Sequence, residues 1–336
     1  MPGPVDVALV SLGTTAGLRR ADEAFAAGLR GEGVSCEIRQ VRIGRAGALR
    51  RQRSVTDLVE ALAARRVPRA DARLTVFSTV TAALLQRRGA PYAVRFDSPA
   101  ALNRQGVSGA WQRRAERRAL EGARALFPWS PAAGDAAPGS APRVAVPVPV
   151  AEVEGAHTRD LDALAYAGDP AKRRLDVLCR AWAAAGKGRR LLVSGIEEER
   201  AAAWLARRGI KPPAGVEFTG PMERAAWLEL AGRARLFVNA SRWEDFGISQ
   251  LEALSAGALL VTTPSPGPYA ALPIARELAP QLVDADLAAA VAAALAMPPE
   301  ELTGYREGAA AALAPYRPAA VQRLFGERVV PALGLG

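Results

Sequence analysis

The chain has 336 residues, half of them hydrophobic and 23% charged, an ordinary globular composition at a length that favours two domains. Its net charge of +10 favours anionic partners, whether nucleotides, polyprenyl phosphates, phospholipid surfaces or nucleic acid. Two cysteines in apolar runs, Cys36 and Cys179, argue against a disulfide framework, and a single histidine, His157 in a polar loop-like segment, removes most metal-ligand and Ser-His-Asp schemes.

In chain order, residues 5–12 (V-D-V-A-L-V-S-L) read as a strand buried on both faces of a parallel sheet. A small-residue loop beginning at Gly13 and an amphipathic helix to residue 29 follow, which is the opening of a Rossmann-like unit. The glycine spacing is not G-x-G-x-x-G, so a tight turn is as good a reading of Gly13 as a ligand contact. Strands are expected at 34–41, 74–78, 92–96 and 125–129, with helices at 57–66, 81–88 and 111–125 among them. A basic stretch carries Arg39, Arg42, Arg45, Arg50, Arg51 and Arg53. From 131 to 150 the chain turns rich in Pro, Ala and Gly and reads as an extended segment leaving the first domain.

A second β-α series begins with a strand at 163–167. It continues through helix 175–185, strand 190–194, helix 197–207, strand 216–219, helix 224–231 and strand 235–239. After one more helix come strand 258–262 and helices at 284–296, 299–314 and 317–333. The fold class expected is α/β: two Rossmann-like, doubly wound parallel-sheet domains, 1–150 and 151–315, facing across a cleft. The terminal helix, within 316–336, is expected to pack back on the first domain.

The most informative stretch is 239–257, N-A-S-R-W-E-D-F-G-I-S-Q-L-E-A-L-S-A-G. A short buried strand runs into it, and a helix closed by Gly257 runs out of it, with Ser249 as a candidate cap. Glu244 falls in the loop, and Glu252, eight positions on, falls on the second turn of the helix. Carboxylates that accept from hydroxyls, beside helix N–H groups that suit a phosphate, are what a sugar nucleotide needs. Two such acids alone are ordinarily solvated charges; the strand-loop-helix setting favours a site. Trp243 reads as a packing residue.

Three motifs occur in order: Y-A-G-D-P-A-K-R-R-L-D-V-L at 166–178, V-E-F-T-G-P at 216–221 and S-R-W-E-D-F-G-I-S-Q-L-E-A at 241–253. Together they resemble the retaining glycosyltransferases of family 4, which have the GT-B fold. The likeness is close over about 163–262; the first 150 residues share only the general plan. The resemblance implies a metal-independent hexosyltransferase-type enzyme, without cofactor, that moves a sugar from a nucleotide-diphosphate donor to an acceptor hydroxyl with retention. It implies that Glu244 contacts the sugar hydroxyls and Glu252 the ribose. The backbone amides of Phe246, Gly247, Ile248 and Ser249 would meet the sugar and the β-phosphate. Lys172 or Arg173, in the motif that includes Gly168, would neutralise the diphosphate. Pro221 and Met222 would lie near the base, and Gly13 would close over the phosphates. Family members usually carry an Arg where this chain has Asp169, and a His where it has Phe96. They also carry a Gly-Gly turn where it has P-S-P-G-P at 264–268. Asp97 suits either a sugar or acceptor contact or a helix cap.

The arginines of 111–125 (Arg113, Arg114, Arg117, Arg118 and Arg124) suit either a solvated helix face or an anionic acceptor or membrane surface. The acceptor itself is open: lipid-linked, glycan or small molecule. No apolar run approaches the ~20 residues of a membrane span, and no leader with a basic start and an apolar core is visible. A cytoplasmic location, at most peripheral at the inner face of a membrane, is expected. A catalytically impaired scaffold and a basic nucleic-acid-binding protein are the rival readings. No helix-turn-helix, zinc or RNA-recognition signature supports the second, so nucleic acid is not expected as a partner.

Overall fold

The computed structural model describes residues 5–43, 53–69, 71–86, 89–153 and 158–335. His157, Arg45, Arg50 and Arg51 lie outside them. The chain divides into two compact units, one built from 1–149 with 318–336, the other from 150–317.

The first unit is a five-stranded parallel sheet in the order β2-β1-β3-β4-β5. Its strands are β1 (Val5–Ser11), β2 (Cys36–Gln40), β3 (Ala72–Phe77), β4 (Tyr92–Phe96) and β5 (Leu126–Pro128). Its helices are α1 (Ala16–Gly31), α2 (Arg53–Arg65), α3 (Val80–Ala83), α4 (Ala100–Asn103), α5 (Ala110–Glu121) and α6 (Pro131–Ala136). Each sheet face has its own core. Phe77, Val94 and Phe96 pack with Ala61, Ala83 and Leu120 of α2, α3 and α5. On the other face Phe25 of α1 meets Phe127 and Phe325, at ring separations of 5.6 and 5.2 Å. Phe325 belongs to the C-terminal segment, which packs with Val321, Val329 and Leu333 against α1 and the sheet.

Several sequence expectations need correction here. The helix expected at 81–88 is a single turn, because Leu84 and Gln86 close i→i−3 bonds onto Thr81 and Ala83. The helix expected to reach 125 ends at Gly122, where Arg124 N already bonds Tyr92 O in the sheet region. The stretch expected to run extended from 131 begins instead with a short helix, α6. Ser130 caps α6, accepting from Ala133 N at 3.2 Å, with Pro131 in the first turn where its missing N–H costs nothing. Beyond it, Val144 N and Val146 N bond the carbonyls of Leu126 and Pro128, so this strap lies along β5. The C-terminal helix is α14 (Pro318–Leu324), a π-helical turn (Phe325–Val329) and α15 (Val330–Leu333). Pro331 lacks an N–H and its ring crowds the carbonyl four residues earlier, which explains the widened turn.

The second unit is a five-stranded parallel sheet in the order β10-β9-β6-β7-β8. Its strands are β6 (Leu161–Tyr166), β7 (Leu191–Ser194), β8 (Val216–Gly220), β9 (Ala234–Asn239) and β10 (Leu259–Thr262). Its helices are α7 (Leu175–Ala185), α8 (Glu198–Ala206), α9 (Arg224–Arg233), α10 (Ile248–Ser255), α11 (Ala271–Leu278), α12 (Leu287–Ala296) and α13 (Pro299–Ala312). Right-handed connections put α7 and α8 on one face and α9 and α10 on the other; α12 packs on α7, and α10 on α9. Helix α11 has no counterpart among the sequence expectations; Pro273 lies in its first turn, where proline is tolerated. Cys36 and Cys179 are buried free thiols, and burial pushes both up to about 12. Among the described residues no helix is long and apolar enough to cross a membrane.

One buried acid in the first unit makes folding pH-dependent. Glu116 on α5 accepts from Ala100 N at 2.6 Å, at the start of α4, while its Oε1 has no partner among the described residues. Burial raises its pKa to about 7 against the opposing pull of the Ala100 amide and Arg104. The folded chain therefore binds a proton more tightly than the unfolded one. The stability this contributes is complete below the unfolded value of 4.5 and is lost as pH rises through about 7. Glu116→Gln keeps the acceptor and removes the charge. Urea unfolding should show the variant gaining about 2–3 kcal/mol over the parent on going from about pH 4.5 to 8. An equal difference at both pH values would mean that Glu116 titrates normally.

Candidate functional site

In each sheet the strand order reverses at one place, between β1 and β3 in the first unit and between β6 and β9 in the second. Open α/β sheets bind ligands at the carboxyl ends of the strands at such a point. In the second unit the residues singled out from sequence converge there, on the turn after β6 and the loop after β9.

The turn after β6 is built by Asp169. Its carboxylate accepts from Ala171 N and Lys172 N, at 3.0 Å each, which folds residues 169–174 back before α7 begins. Asp169 thus has a structural role, setting the turn that delivers the two cations after it. Lys172 Nζ reaches Asp245 Oδ2 at 2.9 Å. Arg173 bonds Glu244 Oε1 directly and donates to Ser241 Oγ at 3.0 Å. The main chain is tied as well, Arg242 N to Lys172 O at 2.8 Å. Burial alone would depress the Lys172 ammonium, but the Asp245 and Glu244 carboxylates outweigh it and hold its pKa above the ordinary lysine value.

Glu244 is 2% exposed, and its carboxylate meets Arg173 and accepts from Gln250 Nε2 at 2.6 Å. Beneath it Tyr269 is buried, and burial together with the Glu244 charge pushes its phenol well above the usual value. The P-S-P-G-P stretch abuts this loop. Glu244 N bonds Pro266 O at 3.1 Å, and Gly267 (φ +116°) lies so close to the Glu244 carbonyl oxygen that no Cβ fits. Asp245 accepts from Trp243 Nε1 at 2.7 Å, so Trp243 is a hydrogen-bonded support rather than plain packing.

Helix α10 starts at Ile248 from Gly247 in a left-handed conformation (φ 90°, ψ 50°), with no side-chain cap. This corrects the expectation for Ser249, whose hydroxyl lies inside the first turn and donates to Gln250 Oε1 at 2.9 Å. Phe246, Gly247, Ile248 and Ser249 thus form the entry to the helix, its N–H end beside Glu244. Glu252, 4% exposed, accepts from Trp227 Nε1 at 3.0 Å and pairs with Arg224 at 3.2 Å. Neither partner stands out in the sequence. Both are on α9, just after the Gly220-Pro221-Met222 loop that does.

Tyr166, the last residue of β6, joins the two centres. Arg173 stacks over its ring at 5.3 Å, and Trp227 meets it edge-on at 6.3 Å. It stays exposed, with Gly168 and Gly195 packed flat against the ring. Pro221 is exposed and Met222 half-buried on the loop after β8.

In the first unit Gly13 follows β1, its carbonyl accepting from Arg19 at 2.8 Å. Asp97 follows β4 and is half-buried. Phe96 is fully buried and packs in the core. Beside it Arg95, inconspicuous in the sequence, is buried between the rings of Phe25 and Trp129, at 5.3 and 4.5 Å. It pairs with Asp22 at 3.0 Å, and Ser11 donates to the same carboxylate at 2.5 Å. Burial lowers Arg95 to about 10 against the Asp22 and Asp97 charges, so it stays cationic at neutral pH. Among the described residues no group of three or more His, Cys, Asp or Glu is placed to hold a metal ion.

The profile of the family described as Glycosyl transferases group 1 matches residues 162–297, which contain the whole of the second-unit site. No curated protein matches the chain in sequence. Among solved structures it is similar to HepE of Anabaena, determined in complex with UDP and glucose, with a TM-score of 0.69 and 14% identity over 97% of this chain and 100% of that one. It is similar to sucrose-phosphate synthase of Thermosynechococcus elongatus, with a TM-score of 0.75 and 16% identity over 99% of this chain and 100% of that one. A trehalose-6-phosphate synthase, solved in work on enzymatic glycosyl transfer with retention, matches with a TM-score of 0.66 and 12% identity over 98% of each chain. The chain, with its two parallel five-stranded sheets, has the fold of the GT-B glycosyltransferases.

Proposed function

We propose that the protein is a retaining, metal-independent glycosyltransferase of the hexosyl type that uses a nucleotide-diphosphate sugar. The observation that carries this reading is the convergence of Lys172 and Arg173 with Glu244 at the reversal point of the second sheet, beside the N-terminus of α10. Two likenesses in fold support it: HepE binds UDP with glucose, and UDP-glucose, and the trehalose-6-phosphate synthase transfers with retention. Lys172 and Arg173 keep donors beyond those committed to Asp245 and Glu244. These meet the diphosphate and offset the charge that grows on it as the bond from the sugar C1 to its oxygen breaks. The new bond from C1 to the acceptor oxygen forms on the same face, and the acceptor proton passes to the departing phosphate oxygen. Glu244 positions the sugar hydroxyls, and Glu252, oriented by Trp227 and Arg224, accepts from the ribose.

Calorimetric titration with UDP, GDP and ADP, and with their sugars, tests this. One nucleotide should bind, and Lys172→Ala should weaken it by about ten- to a hundredfold, the worth of a charge-assisted hydrogen bond. Heat from none of these ligands would refute the reading.

A further inference from the structure

The first unit leaves apolar side chains standing in solvent on its α2–α3–α5 face. Val107 is 93% exposed, and Leu58 and Leu62, one turn apart on α2, are 42% exposed each. The loop carrying Val107 is pinned. Arg104 grips Asp57 with two bonds, at 2.8 and 3.1 Å, and Gln112 on α5 donates to the same carboxylate at 2.9 Å. Arg113 donates to the Gly106 carbonyl at 2.9 Å and bonds that of Arg104. Asp57 therefore binds the N-terminal part of α2, the Val107 loop and the start of α5 into one neighbourhood, with Leu58 next to it in the chain. On the same helices most of the exposed charged residues are basic: Arg65 and Arg66 at the end of α2, and Arg114, Arg117 and Arg118 on the outer face of α5. The acids of this layer, Asp57, Glu60 and Glu116, are buried, and Glu121 is the exposed exception on α5.

We infer that this face docks on the surface of an anionic phospholipid bilayer, with Val107 entering the headgroup-acyl boundary and Arg114, Arg117 and Arg118 meeting lipid phosphates. A bilayer takes both components, burying aliphatic side chains and attracting cations, and the two act together. Nucleic acid would use the arginines alone, because aliphatic chains neither bond phosphates nor stack on bases as aromatic rings do. The inference needs no donor and no turnover, so it stands apart from the proposed transfer reaction.

Co-sedimentation of the full chain with vesicles tests it, using phosphatidylcholine mixed with phosphatidylglycerol against phosphatidylcholine alone. The protein should bind the mixed vesicles, and added salt should weaken the binding. The triple variant Arg114→Glu, Arg117→Glu, Arg118→Glu should lose at least about a hundredfold in partitioning, and Arg117→Gln alone about fivefold, which keeps the test valid if the triple variant does not fold. Val107→Asp should weaken binding several-fold at an unchanged melting temperature. Three results would overturn the inference: no preference for the mixed vesicles, partitioning of the folded arginine variants like the parent, or insensitivity to Val107→Asp alongside loss of heparin retention in the arginine variants. The last would mark a polyanion surface instead.

Discussion

Glu244→Ala is expected to lower donor turnover by about 10²–10³ and to cost about 3 kcal/mol of stability. The two losses have one origin. Glu244 is almost wholly buried, and its carboxylate is the common partner of Arg173 and Gln250. Removing one member of a buried pair leaves the other desolvated without compensation, which costs more than the pair itself is worth. Arg173 is the member left behind, and it also holds Ser241 and stacks on Tyr166, so the disturbance spreads along the turn after β6. A double-mutant cycle separates the effects. With Arg173→Ala alone and combined with Glu244→Ala, urea unfolding should give a coupling energy of about 1–3 kcal/mol, because the double variant buries no unpaired charge. Additive losses would mean that the two side chains do not act as a pair. Glu244→Gln removes the charge while keeping the shape, and it should recover part of the stability but little of the turnover.

The same residues show what a linear reading can and cannot reach. Glu244, Glu252, Lys172 and Arg173 stand out because the motifs around them resemble those of a known family, and the second unit brings Lys172 and Arg173 to the loop that carries Glu244. Arg224 and Trp227 are not legible. On α9 they look like one exposed cation and one core aromatic, and their common target, Glu252, comes from a different helix. Arg95 is hidden by its surroundings, since Y-A-V-R-F at 92–96 scans as a buried strand and nothing local announces that Asp22, some seventy positions earlier, neutralises it. The helices α6 and α11 escape for a simpler reason. Proline reads as a breaker, yet Pro131 and Pro273 sit in first turns, where no hydrogen bond is lost. The parallel α/β class follows from the apolar runs, which mark strands buried on both faces, whereas strand order and register come only with the folded sheets.

Gly247→Ala should be strongly damaging for a change of a single methyl group. Gly247 holds φ at 90°, a value that side chains with a Cβ rarely adopt, and an added Cβ would lie 2.6 Å from the Tyr269 ring. Tyr269 is itself buried and cannot swing aside. The backbone has to shift instead, and what shifts is the first turn of α10, whose N–H groups point to where the proposed diphosphate lies. Strain of this kind costs about 1–3 kcal/mol, and a displaced helix start should weaken nucleotide binding at least tenfold. Gly304→Ala is the control. Gly304 lies within α13, its φ is ordinary, and a Cβ there meets nothing within 4 Å, so that variant should gain about 0.4–1 kcal/mol and bind nucleotide as the parent does. Unfolding curves and nucleotide titrations on the pair decide the matter. If Gly247→Ala matches the parent in both, the left-handed entry to α10 is not what sets the anion site.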